Sequence, residues 1–372
     1  MKKYFNATYS EFKNFLLNDY LANKFRMYTI SCNAPYGSGG LGRHLAEVVE
    51  DIRSKQLLER YYTPAPQPGD SAGRTVSLPM LCPILNYTPV RFSPGWKNHL
   101  GGEMFDRAVA AQLEPGQTII GFNGKALHSF HRAQHLKYKQ LELLSANSHV
   151  NNVMRQHQKG LQKYPFEQSW LNITQQKKTL KEYETADLIY VASEYTHQSF
   201  LQEGIPPKKL HRFVFKPSPR FQPATNRLND GVFRVVYTGS LTVVKGIPIL
   251  LEAFSRLTGQ AELTLVGGSS TRGMNLYLQE WLHRDSRIRI VPGDPLPHLQ
   301  QADVYVHPSF EDGFAYAPME ALACKVPVIV TPDTGMKEYV QEGINGYVVP
   351  TGDWEAILER LEQLRRSCLV IR

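Results

Sequence analysis

Six short apolar runs, separated by stretches of helical period, restrict the second half of this chain to a parallel α/β sheet. Phe233–Thr238 (FRVVYT), Glu262–Val266 (ELTLV), Arg287–Val291 (RIRIV), Val304–His307 (VYVH), Val326–Val330 (VPVIV) and Tyr347–Val349 read as strands. After the first, Ile247, Leu250, Leu251, Phe254 and Leu257 recur at helical spacing and give one buried face. Strands that alternate with helices pair in parallel and are covered on both faces of the sheet.

The first half repeats the style less regularly. Met27–Ser31 reads as a strand running into Gly37-Ser38-Gly39-Gly40-Leu41-Gly42, with a helix over Arg43–Arg53. Thr118–Gly121, Leu141–Leu144 and Asp187–Ala192 read as later strands, the last followed by a helix through Phe200. Residues 62–96 are rich in Pro, Gly and Ser and are expected to hold long loops. Lys216–Gly231, with Pro217, Pro219 and Pro223, reads as a linker, so two domains are expected, 1–220 and 221–372.

Charge divides along the same line. Residues 231–372 hold 13 Lys and Arg against 16 Asp and Glu, so the net +8 of the chain comes from the first 230 residues at +11. A basic half points to an anionic partner, whether a phosphate-bearing acceptor or a membrane surface, or else to a well-solvated surface. No RNP, KH or zinc-finger pattern is present, so nucleic acid is not an expected partner. Cys32, Cys82, Cys324 and Cys368 lie far apart without a CxxC pair, which suits thiols in a reducing cytoplasm better than zinc or disulfides. No run approaches the roughly 18 apolar residues that span a bilayer. Lys2 and Lys3 are followed by no long apolar run, which argues against a secretory signal.

Three segments carry candidate chemistry. In Gly37–Gly42 the glycines let the backbone approach a phosphate at a helix N-terminus, or they make a tight turn. In Tyr237–Gly246 (YTGSLTVVKG) a strand ends at Gly239 and Lys245-Gly246 opens a helix, placing Lys245 to meet an anion or simply to be solvated. In Pro308–Ala323 (PSFEDGFAYAPMEALA) a strand runs into a loop with Glu311 and Asp312, and a helix is expected from Pro318 with Glu320 in its first turn. Carboxylates beyond the carboxyl end of a parallel strand sit where open α/β sheets bind ligands. They accept hydrogen bonds from hydroxyls, or they cap the helix.

Together these segments resemble the family-4 glycosyltransferases of the GT-B fold. That family has an acidic residue, seven residues, then glutamate, in a segment like EGFG followed by EAMACG and PV. Here Asp312-Gly313-Phe314-Ala315 precedes Glu320-Ala321-Leu322-Ala323-Cys324-Lys325-Val326-Pro327-Val328 at the matching spacing. Gly239–Phe254, Glu262–Gly268, Ala302–Ser309, Gly343–Pro350, Ser38–Glu47 and Ala186–Phe200 also look like the family. Asp312 stands where glutamate is usual, Ser240 where a phosphate-binding arginine is often found, and Lys325 where glycine is common. After Glu355–Arg366, family members often continue with another helix.

The resemblance implies two Rossmann-like domains with parallel sheets facing across a cleft, the second holding the donor and the first the acceptor. It implies a retaining transfer from a UDP-, GDP- or ADP-sugar, with no metal and no cofactor besides the donor. Lys245, helped by Ser240 and the Gly39/Gly40 turn, would stabilise the leaving diphosphate, and Glu320 would hold the ribose. Asp312 or Glu311 would bind donor-sugar hydroxyls beside the backbone of Gly313, Phe314 and Ala315. A first-domain histidine is expected to face the reacting carbon, His149 first and His128 second, unless these are packed or loop histidines. The acceptor would be a glycan or lipid-linked, in polysaccharide or glycoconjugate synthesis. The protein would be cytoplasmic, with a peripheral contact to an anionic membrane. Two rivals stay open: another reaction on the same architecture, and a non-catalytic nucleotide-sugar-binding protein.

Overall fold

The computed structural model describes residues 26–77, 87–213, 215–269 and 271–371, the last four without their side chains. Lys2, Lys3, Cys82, positions 78–86 of the expected loop region and the side chain of Cys368 lie outside the described residues. The chain forms two compact units. One runs up to Asn152 and includes Ser169–Phe215; the other holds Val153–Gln168 and everything from Lys216.

The first unit is built on β1 (Tyr28–Ser31), α1 (Gly39–Ser54), β2 (Leu58–Thr63), β3 (Gly73–Thr75), α2 (Pro94–Gln112), β4 (Thr118–Phe122), α3 (Leu127–His135), β5 (Gln140–Ser145), the start of α4 (Val150–Lys163), α5 (Ile173–Thr185), β6 (Leu188–Val191), α6 (Glu194–Gln202) and β7 (Leu210–Arg212). Its strands pair in parallel in the order β3-β2-β1-β4-β5-β6-β7. Leu45, Val48, Val49 and Ile52 put one face of α1 against Ile30, Ile120 and Leu144 of the sheet. Part of the expected loop region is therefore ordered: it contains the end of β2, β3, a 3-10 turn at Pro89–Phe92 and the start of α2.

The second unit holds β8 (Phe233–Thr238), α7 (Ile247–Arg256), β9 (Ala261–Val266), α8 (Arg272–Arg284), β10 (Ile288–Val291), α9 (Leu296–Gln301), β11 (Val304–His307), α10 (Tyr316–Ala323), β12 (Val328–Val330), β13 (Gly346–Val348) and α11 (Trp354–Ile371). All six expected strands form, within a residue or two. They are parallel in the order β10-β9-β8-β11-β12-β13. The order reverses between β8 and β11, and this switch point is where such sheets leave a crevice at their carboxyl ends. α7 is buried almost all round, with Ile247, Ile249, Leu250, Leu251, Ala253 and Phe254 inaccessible. Cys32 and Cys324 are free and buried, and burial pushes their thiols up to about 12 and about 11. Lys325 adopts a φ of 61°, the left-handed region, which explains why glycine suits that position better.

Candidate functional site

The carboxyl ends of β8 and β11 are pinned together by backbone. Gly246 caps α7 with a φ of 73°, and a Cβ placed there would lie 1.9 Å from the Pro308 carbonyl oxygen. The Phe310 amide donates to the Val244 carbonyl (2.9 Å), and Ser309 Oγ donates to the carbonyls of Val244 (3.2 Å) and Glu311 (2.7 Å). Gly246→Ala combines a left-handed backbone with a backbone clash. It is expected to lower stability by at least about 2 kcal/mol, read as a fall in the denaturant midpoint of this unit. An unchanged midpoint would contradict the close approach.

That junction brings Lys245 to Asp312. Lys245 Nζ donates to Asp312 Oδ2 at 2.6 Å and to the Glu311 carbonyl at 3.3 Å. His307, the last residue of β11, places Nε2 3.1 Å from the same Oδ2. Burial alone would raise the Asp312 carboxyl, but Lys245 and His307 outweigh it and hold it well below the usual carboxylate range. Burial, with Lys245 adding and Asp312 opposing, depresses His307, so this ring is neutral near pH 7. Asp312 is thus an ionised acceptor. Among the described residues, its Oδ1 accepts nothing and one of the three Lys245 N–H donors has no acceptor.

Glu311 and Glu320 are both buried, at 1% and 3% exposure, while Gly239 and Ser240 are exposed. α10 begins at Tyr316, two residues before the expected start, with Ala315 as its N-cap and no side-chain cap. Glu320 therefore lies in the second turn and Asp312 ahead of the cap. This removes helix capping as the reason for either carboxylate. Gly313, Phe314 and Ala315 are buried between them, and the Phe314 ring meets Tyr316 and Tyr339 edge-on.

Val153–Gln168 adds residues to this unit that the sequence reading did not consider. Glu167 accepts from the Val243 amide (2.5 Å) and from Thr271 Oγ1 (2.9 Å), tying the loop that carries Lys245 to the start of α8. Gln156 donates to Asp333 Oδ1 at 2.9 Å, and Asp333 accepts the Asp312 amide through its carbonyl at 3.1 Å. His157 is buried, and burial, with Lys245 adding, pushes it down to about 3.

In the first unit the glycine turn has two parts. A Cβ at Gly42 would meet the Pro35 carbonyl oxygen at 2.1 Å, so Gly42 serves packing. At Gly39 and Gly40 a Cβ would meet nothing within 4 Å, which leaves the start of α1 open to a close-approaching group. His149 is only 2% exposed. Its ring packs 4.9 Å from Tyr183 and 5.1 Å from Phe200, Nδ1 accepts from the Asn151 amide at 3.3 Å, and its own amide donates to Ser199 Oγ. These contacts pack the ring among aromatic side chains, with Glu203 Oε2 4.0 Å from Nδ1.

His128 sits on α3 with Nε2 2.8 Å from Glu103 Oε2. Glu103, Asp106 and His128 could together ligate a cation. The Lys178 ammonium already lies 2.5 Å from Glu103 and 2.8 Å from Asp106, and so supplies that charge.

Residues 232–367 match the family described as Glycosyl transferases group 1. The chain is 31% identical over 144 residues to the capsular polysaccharide biosynthesis glycosyltransferase CapM of Staphylococcus aureus, covering 37% of each protein. It is 26% identical over 196 residues to the putative colanic acid biosynthesis glycosyltransferase WcaL of Salmonella typhimurium, covering 48% of each. These matches span between a third and a half of the relatives' length. Sucrose-phosphate synthase from Thermosynechococcus elongatus superposes with a TM-score of 0.67 at 18% identity, covering 93% of this chain and 94% of that one. Anabaena HepE in complex with UDP gives 0.62 at 14% identity, covering 93% and 90%. The fold is GT-B.

Proposed function

We propose, from the match of residues 232–367 to the family described as Glycosyl transferases group 1, that this chain is a retaining glycosyltransferase using a nucleoside-diphosphate sugar. The observation that carries this reading is the meeting of Lys245 and Asp312 at the carboxyl end of β8 and β11. Among the described residues, one keeps a cationic N–H and the other a carboxylate oxygen without a partner. A diphosphate needs the first and a sugar hydroxyl the second. Lys245, with Ser240, stabilises the charge that develops on the leaving diphosphate, where fixed positive groups act most strongly. Asp312 Oδ1 accepts from the donor sugar, flanked by Gly313, Phe314 and Ala315, and Glu320 takes the ribose hydroxyls. Glu311 lends its carbonyl to Lys245. We assign no catalytic role to His149.

The acceptor is a glycan or a lipid-linked glycan in polysaccharide synthesis, as the names of CapM and WcaL suggest. The basic first 230 residues suit an anionic acceptor or an anionic membrane surface. Among the described residues no helix is long and apolar enough to cross a membrane. Calorimetric titration with UDP, GDP and ADP tests the donor site. One of the three is expected to bind, and Glu320→Ala to weaken it by about tenfold, near 1.4 kcal/mol. Binding of none of them would remove the donor assignment.

A further inference from the structure

We propose that His307 is the positioning residue of the donor carboxylate: it holds Asp312 in place while Lys245 turns to the diphosphate. This rests on the donor-site reading above and extends it to a residue that reading does not use. Lys245 and His307 both donate to Asp312 Oδ2, at 2.6 and 3.1 Å. Once Lys245 is drawn toward a phosphate, its hold on the carboxylate weakens, and only His307 keeps Oδ1 aimed at the ligand. Asp312 is one methylene shorter than the glutamate usual in the family it resembles. A second anchor on the short side chain fixes what a longer one would reach unaided.

The surroundings of the ring support a task beyond filling space. His307 is 3% exposed and lies nearly parallel to Tyr237 and Tyr305, with centroids 6.2 and 6.3 Å away. Both tyrosines are fixed in turn: Tyr237 donates to the Ser240 carbonyl at 2.9 Å and Tyr305 to the Thr238 carbonyl at 3.2 Å. The imidazole plane is therefore set by an aromatic tier tied to the loop that carries Lys245. As a neutral ring donating from Nε2, His307 keeps a lone pair on Nδ1, and that atom is buried without a partner among the described residues. A leucine would fill the same volume without leaving a buried acceptor unpaired, so packing does not account for histidine here. Among the described residues the ring's one hydrogen bond is to Asp312.

The test compares wild type with His307→Leu and His307→Gln. The probe is whichever of UDP-glucose, GDP-mannose and ADP-glucose the wild type hydrolyses fastest, with kcat, KM and thermal midpoint measured for each protein. His307→Leu is expected to keep or raise the midpoint, to lower kcat by about 10- to 100-fold, and to change KM less than threefold. His307→Gln, whose amide can still donate to Oδ2, is expected to recover at least about a third of wild-type kcat. Unchanged kcat in His307→Leu, or equal losses in both variants, would overturn the positioning role while leaving the donor site standing. No release from any probe by the wild type would overturn the donor reading and this inference together.

Discussion

Lys245→Ala is expected to lower kcat/KM for the donor by about 10²- to 10³-fold, a loss of roughly 3–4 kcal/mol of transition-state stabilisation. In the proposed reaction the leaving diphosphate gains charge as the glycosidic bond breaks, and Lys245 is a cation held at the carboxyl ends of β8 and β11. Its loop is tied on both sides. The Glu167 carboxylate holds the Val243 amide, and the Val244 carbonyl accepts from Phe310 and Ser309. Because the anchoring is in the loop and not in the lysine side chain, the variant is expected to fold. Nucleoside diphosphate affinity should fall less than the rate, since charge on the diphosphate is greater in the transition state than in the bound donor. Steady-state release of nucleoside diphosphate, with calorimetry in parallel, measures both. A loss confined to KM would mean that Lys245 binds the donor without helping it react.

Asp312→Asn should separate binding from turnover in the opposite sense. The Asp312 carboxylate is ionised and sits 2.6 Å from the ammonium that meets a phosphate in the proposed donor site. It neutralises that ammonium and repels the ligand. Removing its charge is expected to tighten nucleoside diphosphate binding by about threefold to tenfold at low salt, roughly 0.6–1.4 kcal/mol. Higher ionic strength should erode that gain. In the same variant kcat should drop by about 10²-fold, because the donor sugar loses a charged acceptor for its hydroxyl. Weaker binding together with unchanged kcat would show that Asp312 serves only to hold Lys245.

The second unit was legible because its strands are apolar runs with sharp ends. ELTLV stops at Gly267-Gly268 and FRVVYT at Gly239, and each run is followed by a helix with a clear buried face. The first unit hides its strands. LERYYT carries Glu59 and Arg60 inside β2, where Arg60 is buried by pairing with Glu59 and with Glu114 at 2.8 Å. Gly73–Thr75 has no apolar residue at all. In α2, the Lys125 side chain lies against Gly102, where a Cβ would stand 2.3 Å from its Nζ.

The candidate site is legible to the extent that it follows chain spacing. Asp312 and Glu320 stand out by their interval, and Lys245 by its place before a helix-opening glycine. His307 ends a strand like any other residue, and only its distance to Asp312 singles it out. Helical period in Val150–Lys163 says nothing about which unit its residues join, so Gln156 and His157 carry no signal, and neither does Glu167 in the loop beyond the helix. His149 follows a strand, as a ligand-facing residue would. The aromatic niche of Tyr183 and Phe200 that buries it comes from helices 34 and 51 residues farther along.

The most direct test of the central claim is release of nucleoside diphosphate from a panel of UDP-, GDP- and ADP-sugars, comparing wild type with Glu320→Ala. One donor is expected to be hydrolysed slowly by the wild type even without acceptor, and more than tenfold slower by the variant. A nucleotide that binds the wild type tightly while no sugar is released from any donor, with or without glycan acceptors, would contradict a transferase and leave a nucleotide-sugar-binding protein in its place.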